Sequence, residues 1–214
     1  RWIAEAVEGS LARLGVDAID LYFAHWPDAE TPWEETLGAF GRLIEAGKVK
    51  AVGASNLDAA QLGTALKVAA VAGLPRYGVP QPEYNLYSRT TYEGPLRDLC
   101  IAEGLGVVTY YSLASGFLTG KYRSKADLGQ SRRGEGVGKY LTPRGTAILQ
   151  ALDEVAEAHG AKPAEVALAW LMARDGVTAP IASATSVAQV ESFAKAAGLT
   201  LSAAETASLD VASA

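Results

Sequence analysis

Apolar residues recur along this chain with two alternating periods. Ile3, Val7, Leu11 and Leu14 fall on one helix face, and Gly15 stands where such a helix stops. Ile19 to His25 is then a short β-branched and aromatic run of strand length. Thr31-Pro32-Trp33-Glu34 has the form of a threonine N-cap followed by proline at the first helical position and a glutamate three residues after the cap. It predicts a helix with Leu37, Phe40 and Ile44 inward and Gly47 at its end. A strand over Lys48 to Ser55 follows, and after Asn56-Leu57-Asp58 a helix carries Leu62, Leu66 and Val68 toward Gly73.

The same alternation continues. Pro80 to Leu86 reads as a strand, with its prolines tolerable at a strand end. Leu96, Leu99, Cys100 and Ala102 predict a short helix leading into a strand over Gly106 to Tyr110. The pattern then breaks between Ser115 and Leu141, a stretch too long for an ordinary connection and therefore a candidate functional loop or lid. Helices over Pro143 to His159 and Pro163 to Arg174, a strand near Ala179 to Ala182, a helix over Val187 to Ala197 and a capping box at Ser202 to Glu205 complete the chain. Strict alternation predicts a parallel sheet, either open and doubly wound or closed as a (β/α)₈ barrel. Only five strands are expected, too few to close a barrel, and the opening helix has no strand before it. No linker of domain-separating composition interrupts residues 1–214, so a single domain is expected.

Composition narrows the class of partner. Nineteen basic against 24 acidic side chains give a formal charge of −5, without the basic footprint that duplex nucleic acid or an anionic membrane requires. No apolar run approaches the roughly 20 residues that span a bilayer. One cysteine, Cys100, excludes an intramolecular disulfide and any multi-cysteine metal site, which fits a reducing compartment such as the cytoplasm.

The dinucleotide fingerprint G-x-G-x-x-G is missing after every predicted strand, as are P-loop and metalloprotease motifs. Two histidines and one cysteine make no metal set. What the sequence does offer is a polar residue at the carboxyl end of each predicted strand: His25, Ser55 with Asn56, Gln81 with Glu83, Tyr110 with Tyr111, and Ser183. In a barrel all such ends open on one face, where active sites sit.

Four segments carry a family resemblance: Asp20 to Asp28 (DLYFAHWPD), Gly53 to Asn56 (GASN), Gln81 to Asn85 (QPEYN) and Leu113 to Lys121 (LASGFLTGK). In order and spacing they resemble successive signatures of the aldo-keto reductases over essentially the whole chain. The resemblance implies a (β/α)₈ barrel that binds NADPH in extended form without a Rossmann motif and reduces aldehydes or ketones to alcohols by hydride transfer. His25 matches the histidine that orients or polarises the substrate carbonyl, since an imidazole nitrogen can donate to the carbonyl oxygen. Ser55, Asn56 and Gln81 match residues that hold the nicotinamide carboxamide; read without the resemblance, Asn56 could equally cap the next helix.

Tyr110 matches the aromatic residue stacked on the nicotinamide ring, while Tyr111 stands where the family often has serine. Strand alternation would send the two rings to opposite sides, which favours Tyr110 as the stacking ring. Leu113, Ser115 and Gly116 match residues that approach the pyrophosphate, with Lys121 and Arg133 helping the long loop close over it. Ser183 to Gln189 corresponds to the stretch that grips the adenosine end. There Thr185 replaces a frequent arginine, and Ser192 with Phe193 replaces the usual Glu-Asn pair, so NADH is a possible cofactor beside NADPH. Arg133, Arg132 or Lys121 would then have to meet a 2′-phosphate.

The tyrosine, lysine and aspartate that complete the family's catalytic tetrad match nothing in the chain; His25 alone is present. The expectation is the carboxyl-terminal portion of a barrel lacking about three β/α units, with little or no activity of its own. Two other readings stay in view: a cofactor-binding regulatory or sensor subunit on the same barrel without turnover, and a barrel isomerase or aldolase that uses the long loop for phosphate. The expected partner is a small carbonyl compound, not nucleic acid or membrane.

Overall fold

The computed structural model describes residues 2–131 and 134–214. Its contacts gather into two compact units, residues 1–82 with 94–107 and residues 83–93 with 108–214.

The first unit carries helix α1 (Trp2–Leu14), strand β1 (Ile19–Ala24), helix α2 (Trp33–Glu45), strand β2 (Val49–Ser55), helix α3 (Ala59–Ala72), strand β3 (Val79–Gln81) and helix α4 (Pro95–Ala102). Its strands form one parallel sheet in the order β1-β2-β3, with Ala24 level with Ala54 and Ser55 level with Gln81. That register brings the strand ends to the same height. Leu37, Phe40 and Leu43 of α2, Leu62, Leu66 and Ala69 of α3 and Val49 and Val52 of β2 are buried together with Tyr77. Leu43, rather than the expected Ile44, is the last buried position of α2. Gly53 has to be glycine, because a β-carbon there would fall 2.5 Å from the Phe23 ring and 2.6 Å from the Val79 carbonyl oxygen.

Two local expectations are corrected. Thr31 does not cap α2: its hydroxyl donates to Asp28 Oδ2 at 2.6 Å, and the helix N-cap is Pro32, with no side-chain cap. Asp28 also accepts from the Glu30 amide, so a local turn has won the threonine. Asn56 does not cap α3 either. That position belongs to Asp58, which accepts from the Gln61 amide at 2.8 Å while the Gln61 side chain answers to the Asp58 amide, a full capping box.

The strand expected over residues 80–86 is shorter, covering Val79–Gln81. Pro80 and Pro82 lack amide donors, and Asn85 closes a turn by accepting from the amides of Tyr87 and Ser88, both at 2.8 Å. An isolated parallel bridge between Glu83 and Tyr110 is what persists.

In the second unit, strand β4 (Val108–Thr109) pairs in parallel with strand β5 (Ala179–Pro180). Between them lie helices α5 (Gly134–Val137), α6 (Pro143–His159) and α7 (Pro163–Met172), and after β5 come α8 (Val187–Gly198) and α9 (Ala203–Ala212). The α7 helix is buried on nearly all sides, from Glu165 to Leu171. Its Trp170 packs on Tyr84 and donates to Asp210 Oδ1 at 2.9 Å, and Arg174 meets the same carboxylate. The capping box at Ser202 and Glu205 forms as expected.

The stretch from Ser115 to Leu141, expected as an irregular loop, folds locally among its described residues. Short 3₁₀ turns at Ala114–Thr119, Lys125–Gln130 and Gly138–Tyr140 accompany α5, and Phe117, Leu118, Tyr122, Val137 and Tyr140 are buried. The aromatic residues supply a small core that the charged sequence around them concealed. All strand pairs among the described residues are parallel, so the α/β class read from the alternation holds.

Candidate functional site

In the first unit the predicted polar residues meet at the carboxyl end of the sheet. The Ser55 hydroxyl, on a residue 2% exposed, donates to the Gln81 main-chain carbonyl at 2.9 Å. The Asn56 side-chain amide donates to the His25 carbonyl at 2.8 Å and reaches the Ser55 oxygen at 3.2 Å. Asn56 adopts φ 61°, a left-handed conformation that asparagine tolerates better than most residues. The motif Gly-Ala-Ser-Asn therefore has a local reason: glycine for the close approach inside the strand, serine to bridge to β3, asparagine to turn the chain and bridge to β1. His25 follows β1 as an exposed residue, its ring 5.7 Å from that of Trp26. A cleft of about 470 Å³ lies beside this end of β1, lined among others by His25, Trp26, Phe23, Ser55 and Tyr77. The Tyr77 hydroxyl is buried without a hydrogen-bond partner among the described residues, and burial pushes its pKa up to about 12.

The remaining candidates belong to the second unit. Tyr110 follows β4 directly, and the ring of Tyr111 stands 5.1 Å from it at 64°. The two rings are thus neighbours, not on opposite sides as strand alternation predicted. The reason is local: β4 ends at Thr109 and Tyr111 takes φ 51°, so the period of two no longer applies. Tyr111 is 50% exposed and Tyr110 is partly buried, its hydroxyl held toward the protonated form by desolvation first and then by the charge of Glu83.

Beyond Leu113 the backbone takes three left-handed residues in succession, Ala114, Ser115 and Gly116, at φ 48°, 57° and 96°. Within it the amides of Ala114 and Gly116 donate to the Tyr111 and Leu113 carbonyls at 2.6 and 2.9 Å. Lys121 lies close to it: a β-carbon on Gly116 would stand 3.9 Å from the Lys121 ammonium. The same ammonium stands 5.0 Å from the centre of the Tyr122 ring. Arg132 and Arg133 lie outside the described residues.

Ser183 is exposed in the irregular segment after β5, just before the bend at Thr185 and Ser186. Gln189, in the first turn of α8, is turned back on this bend, its side-chain oxygen accepting from the Thr185 amide at 2.6 Å and the Thr185 hydroxyl at 3.2 Å. Ser192, in place of the family's usual glutamate, is buried and donates to Glu165 Oε1 at 2.7 Å. That carboxylate also caps α7 through the Lys162 amide, so Ser192 serves packing between α7 and α8.

Chemically, the first group offers amide and hydroxyl partners suited to a carboxamide, and the second offers an aromatic face and a lysine cation of the kind that meets a phosphate. Each set, taken by itself, is chemically suited to one part of a nicotinamide dinucleotide. No group of three or more potential metal ligands occurs among the described residues.

Parallel strands whose polar residues gather at their carboxyl ends are the layout of α/β barrel enzymes. A sequence model of the Aldo/keto reductase family matches residues 1–214, and the chain belongs to that family of oxidoreductases. It is 31% identical over 217 residues to L-glyceraldehyde 3-phosphate reductase of Escherichia coli K12, covering 98% of this chain and 62% of that protein. It is 36% identical over 199 residues to a probable voltage-gated potassium channel subunit beta of Oryza sativa, covering 91% and 61%. Aldo-keto reductase yakc [NADP(+)] of Schizosaccharomyces pombe is 31% identical over 193 residues, covering 89% and 56%. The chain thus spans about three fifths of the length of these relatives.

Proposed function

We propose that this chain is the carboxyl-terminal part of a single (β/α)₈ barrel domain whose complete protein is an NAD(P)H-dependent reductase of aldehydes or ketones. The observation that carries the reading is the hydrogen-bonded cluster of Ser55, Asn56 and Gln81 beside His25 at the ends of three parallel strands, in a chain of the aldo-keto reductase family.

In this reading Ser55, Asn56 and Gln81 bind the nicotinamide carboxamide, Tyr110 stacks on its ring, and Leu113, Ser115, Gly116 and Lys121 meet the pyrophosphate, with Arg133 helping to close the loop. Ser183 and Gln189 meet the adenosine end. When bound, the nicotinamide supplies the hydride. His25 positions the carbonyl by donating a hydrogen bond to its oxygen. The tyrosine, lysine and aspartate of the family tetrad would come from about three β/α units outside these 214 residues. NADPH is the cofactor favoured, with support from a relative whose name carries NADP(+), and NADH is the second choice because Thr185 offers a 2′-phosphate no charge.

The substrate is a small carbonyl compound; the E. coli relative is named for a phosphorylated hydroxyaldehyde, and a polar aldehyde of that kind suits the polar strand ends here. No described helix is long and apolar enough to cross a membrane, and a cytoplasmic location is proposed, in keeping with the free, buried Cys100. Loss of NADPH absorbance on adding an aldehyde to the complete protein tests the reading. Binding of NADPH without its consumption by any of a panel of aldehydes and ketones would overturn it in favour of a regulatory subunit.

A further inference from the structure

Asn85 closes the segment Gln81 to Asn85, and the cofactor site gives it no task, yet it is a fully buried polar residue. Both ends of its side chain are used. The oxygen accepts from the amides of Tyr87 and Ser88, both at 2.8 Å, and two donors on one atom identify it as the oxygen. The side-chain nitrogen is thereby turned the other way, and it donates to the main-chain carbonyl of Tyr111 at 3.0 Å. One residue earlier, the Tyr84 amide donates to the Tyr110 carbonyl at 3.3 Å. Two successive residues thus hold the two successive carbonyls of the tyrosine pair.

The carbonyl that Asn85 holds belongs to a strained residue. Tyr111 takes φ 51°, a conformation that costs a bulky side chain free energy and lasts only where its surroundings enforce it. Part of the enforcement lies within the turn. The buried Ser112 hydroxyl closes it on the Thr109 carbonyl at 2.9 Å, and the Ala114 amide donates to the Tyr111 carbonyl at 2.6 Å. Asn85 reaches the same carbonyl from a different segment, and so ties that peptide to a second point in space, as a bond within the turn cannot. The rings follow the backbone. Because Tyr111 is left-handed, its ring lies 5.1 Å from that of Tyr110 and not on the opposite side.

Resting on the stacking role given to Tyr110 above, we propose that Asn85 is a positioning residue of the cofactor site. By holding the Tyr111 carbonyl it keeps that residue left-handed, and so keeps the Tyr111 ring against the Tyr110 ring that stacks on the nicotinamide. The task suits an asparagine. An aspartate could accept from the same two amides, but it would present a second oxygen without a hydrogen to the Tyr111 carbonyl, and a serine or alanine could not span both partners. An edge-to-face neighbour fixes the tilt of a ring. A displaced Tyr111 therefore leaves Tyr110 without the contact that aims it.

The test is Asn85→Asp in the complete protein, alone and combined with Tyr111→Gly. Aspartate preserves the two bonds of the turn at Tyr87 and Ser88 and removes the one to Tyr111, while glycine adopts a positive φ readily and removes the need for an outside hold. Calorimetric titration with NADPH and with 2′-phospho-ADP-ribose, which lacks the nicotinamide, reads affinity without turnover. Asn85→Asp should raise the Kd for NADPH by about fivefold, the worth of one aromatic contact, and leave that for 2′-phospho-ADP-ribose unchanged. The double variant should bind NADPH within about twofold of Tyr111→Gly alone. If Asn85→Asp does not fold, recovery of the fold in the double variant supports the proposal, and failure of both overturns it by assigning Asn85 to its own turn. An equal loss for both ligands, a loss that Tyr111→Gly does not relieve, or no loss at all would also overturn it. Binding of NADPH without turnover would remove the reductase reading and leave this test intact, whereas no binding by the unmodified protein would remove both.

Discussion

The side chain of Asn56 donates to the main-chain carbonyl of His25 across 2.8 Å, so the residue that ends one strand fixes the backbone at the end of its neighbour. Asn56 does this from a left-handed conformation, and the two demands can be separated. Asn56→Gly keeps the conformation and loses the amide; Asn56→Ala loses both. Each should weaken nicotinamide binding, and the alanine variant should be the less stable of the two by about 1 kcal/mol. Denaturant melts of the pair check this, and equal stabilities would contradict it.

His25 has a different role from its neighbours in this account. Replacing it with alanine in the complete enzyme should lower kcat by about a hundredfold while changing NADPH affinity little. Steady-state kinetics with cofactor titration measure both numbers. A variant with full turnover across several substrates would remove the positioning role.

The contact between Tyr110 and Tyr111 makes their assignment an experimental matter. Tyr110→Leu should raise the Kd for NADPH by about fivefold, the loss of one good aromatic contact of about 1 kcal/mol, and Tyr111→Leu should do so by less. Titration of tyrosine or tryptophan fluorescence gives both constants. The reverse order would make the exposed ring the stacking one.

Alkaline pH should loosen the first unit in a defined window. Burial pushes the Cys100 thiol up from its ordinary 9.0 to about 11, so the folded chain keeps its proton where the unfolded chain loses it. The stabilisation is full below about pH 9 and is lost as pH rises toward 11, a change of about 2–3 kcal/mol. Tyr77, raised by burial from 10.0 to about 12, extends the same trend to higher pH. Urea melts across this range should show the slope in the native protein and a shallower one in Cys100→Ala. Identical slopes would refute the assignment.

The helix caps give a direct contrast between sequence pattern and structure. Asp58→Ala removes a capping box from α3 and should cost about 1 kcal/mol. Thr31→Ala removes only an exposed bond to Asp28 and should stay within about 0.5 kcal/mol. Thermal melts rank the two, and a larger loss at Thr31 would contradict the structure.

The sequence discloses the alternating elements because hydrophobic period is a local property: α6, α8 and the starts of β1, β2, β3 and β5 fall within a residue of where that period places them, while β4, expected over Gly106 to Tyr110, is confined to Val108–Thr109. It also discloses the strand-end residues Ser55, Asn56 and Gln81, since each polar residue interrupts an apolar run. What it hides is competition between local partners. Thr31 and Asn56 both have cap chemistry, and only three-dimensional neighbours decide that Thr31 goes to Asp28 and Asn56 to His25. Tyr111 escaped the period-two rule because its φ is positive, a fact no side-chain pattern reports. Tyr140 was hidden for another reason: a tyrosine in a charged, glycine-rich stretch carries no periodic signal, and its burial follows only from the rings that enclose it.

The most direct measurement of the central claim is the absorbance of NADPH mixed with the complete protein and a series of small aldehydes and ketones. The account predicts that absorbance falls only when protein and a carbonyl substrate are both present, with an alcohol as product, and that His25→Ala slows the fall. Steady absorbance with every substrate, in a protein that still binds NADPH, would contradict it.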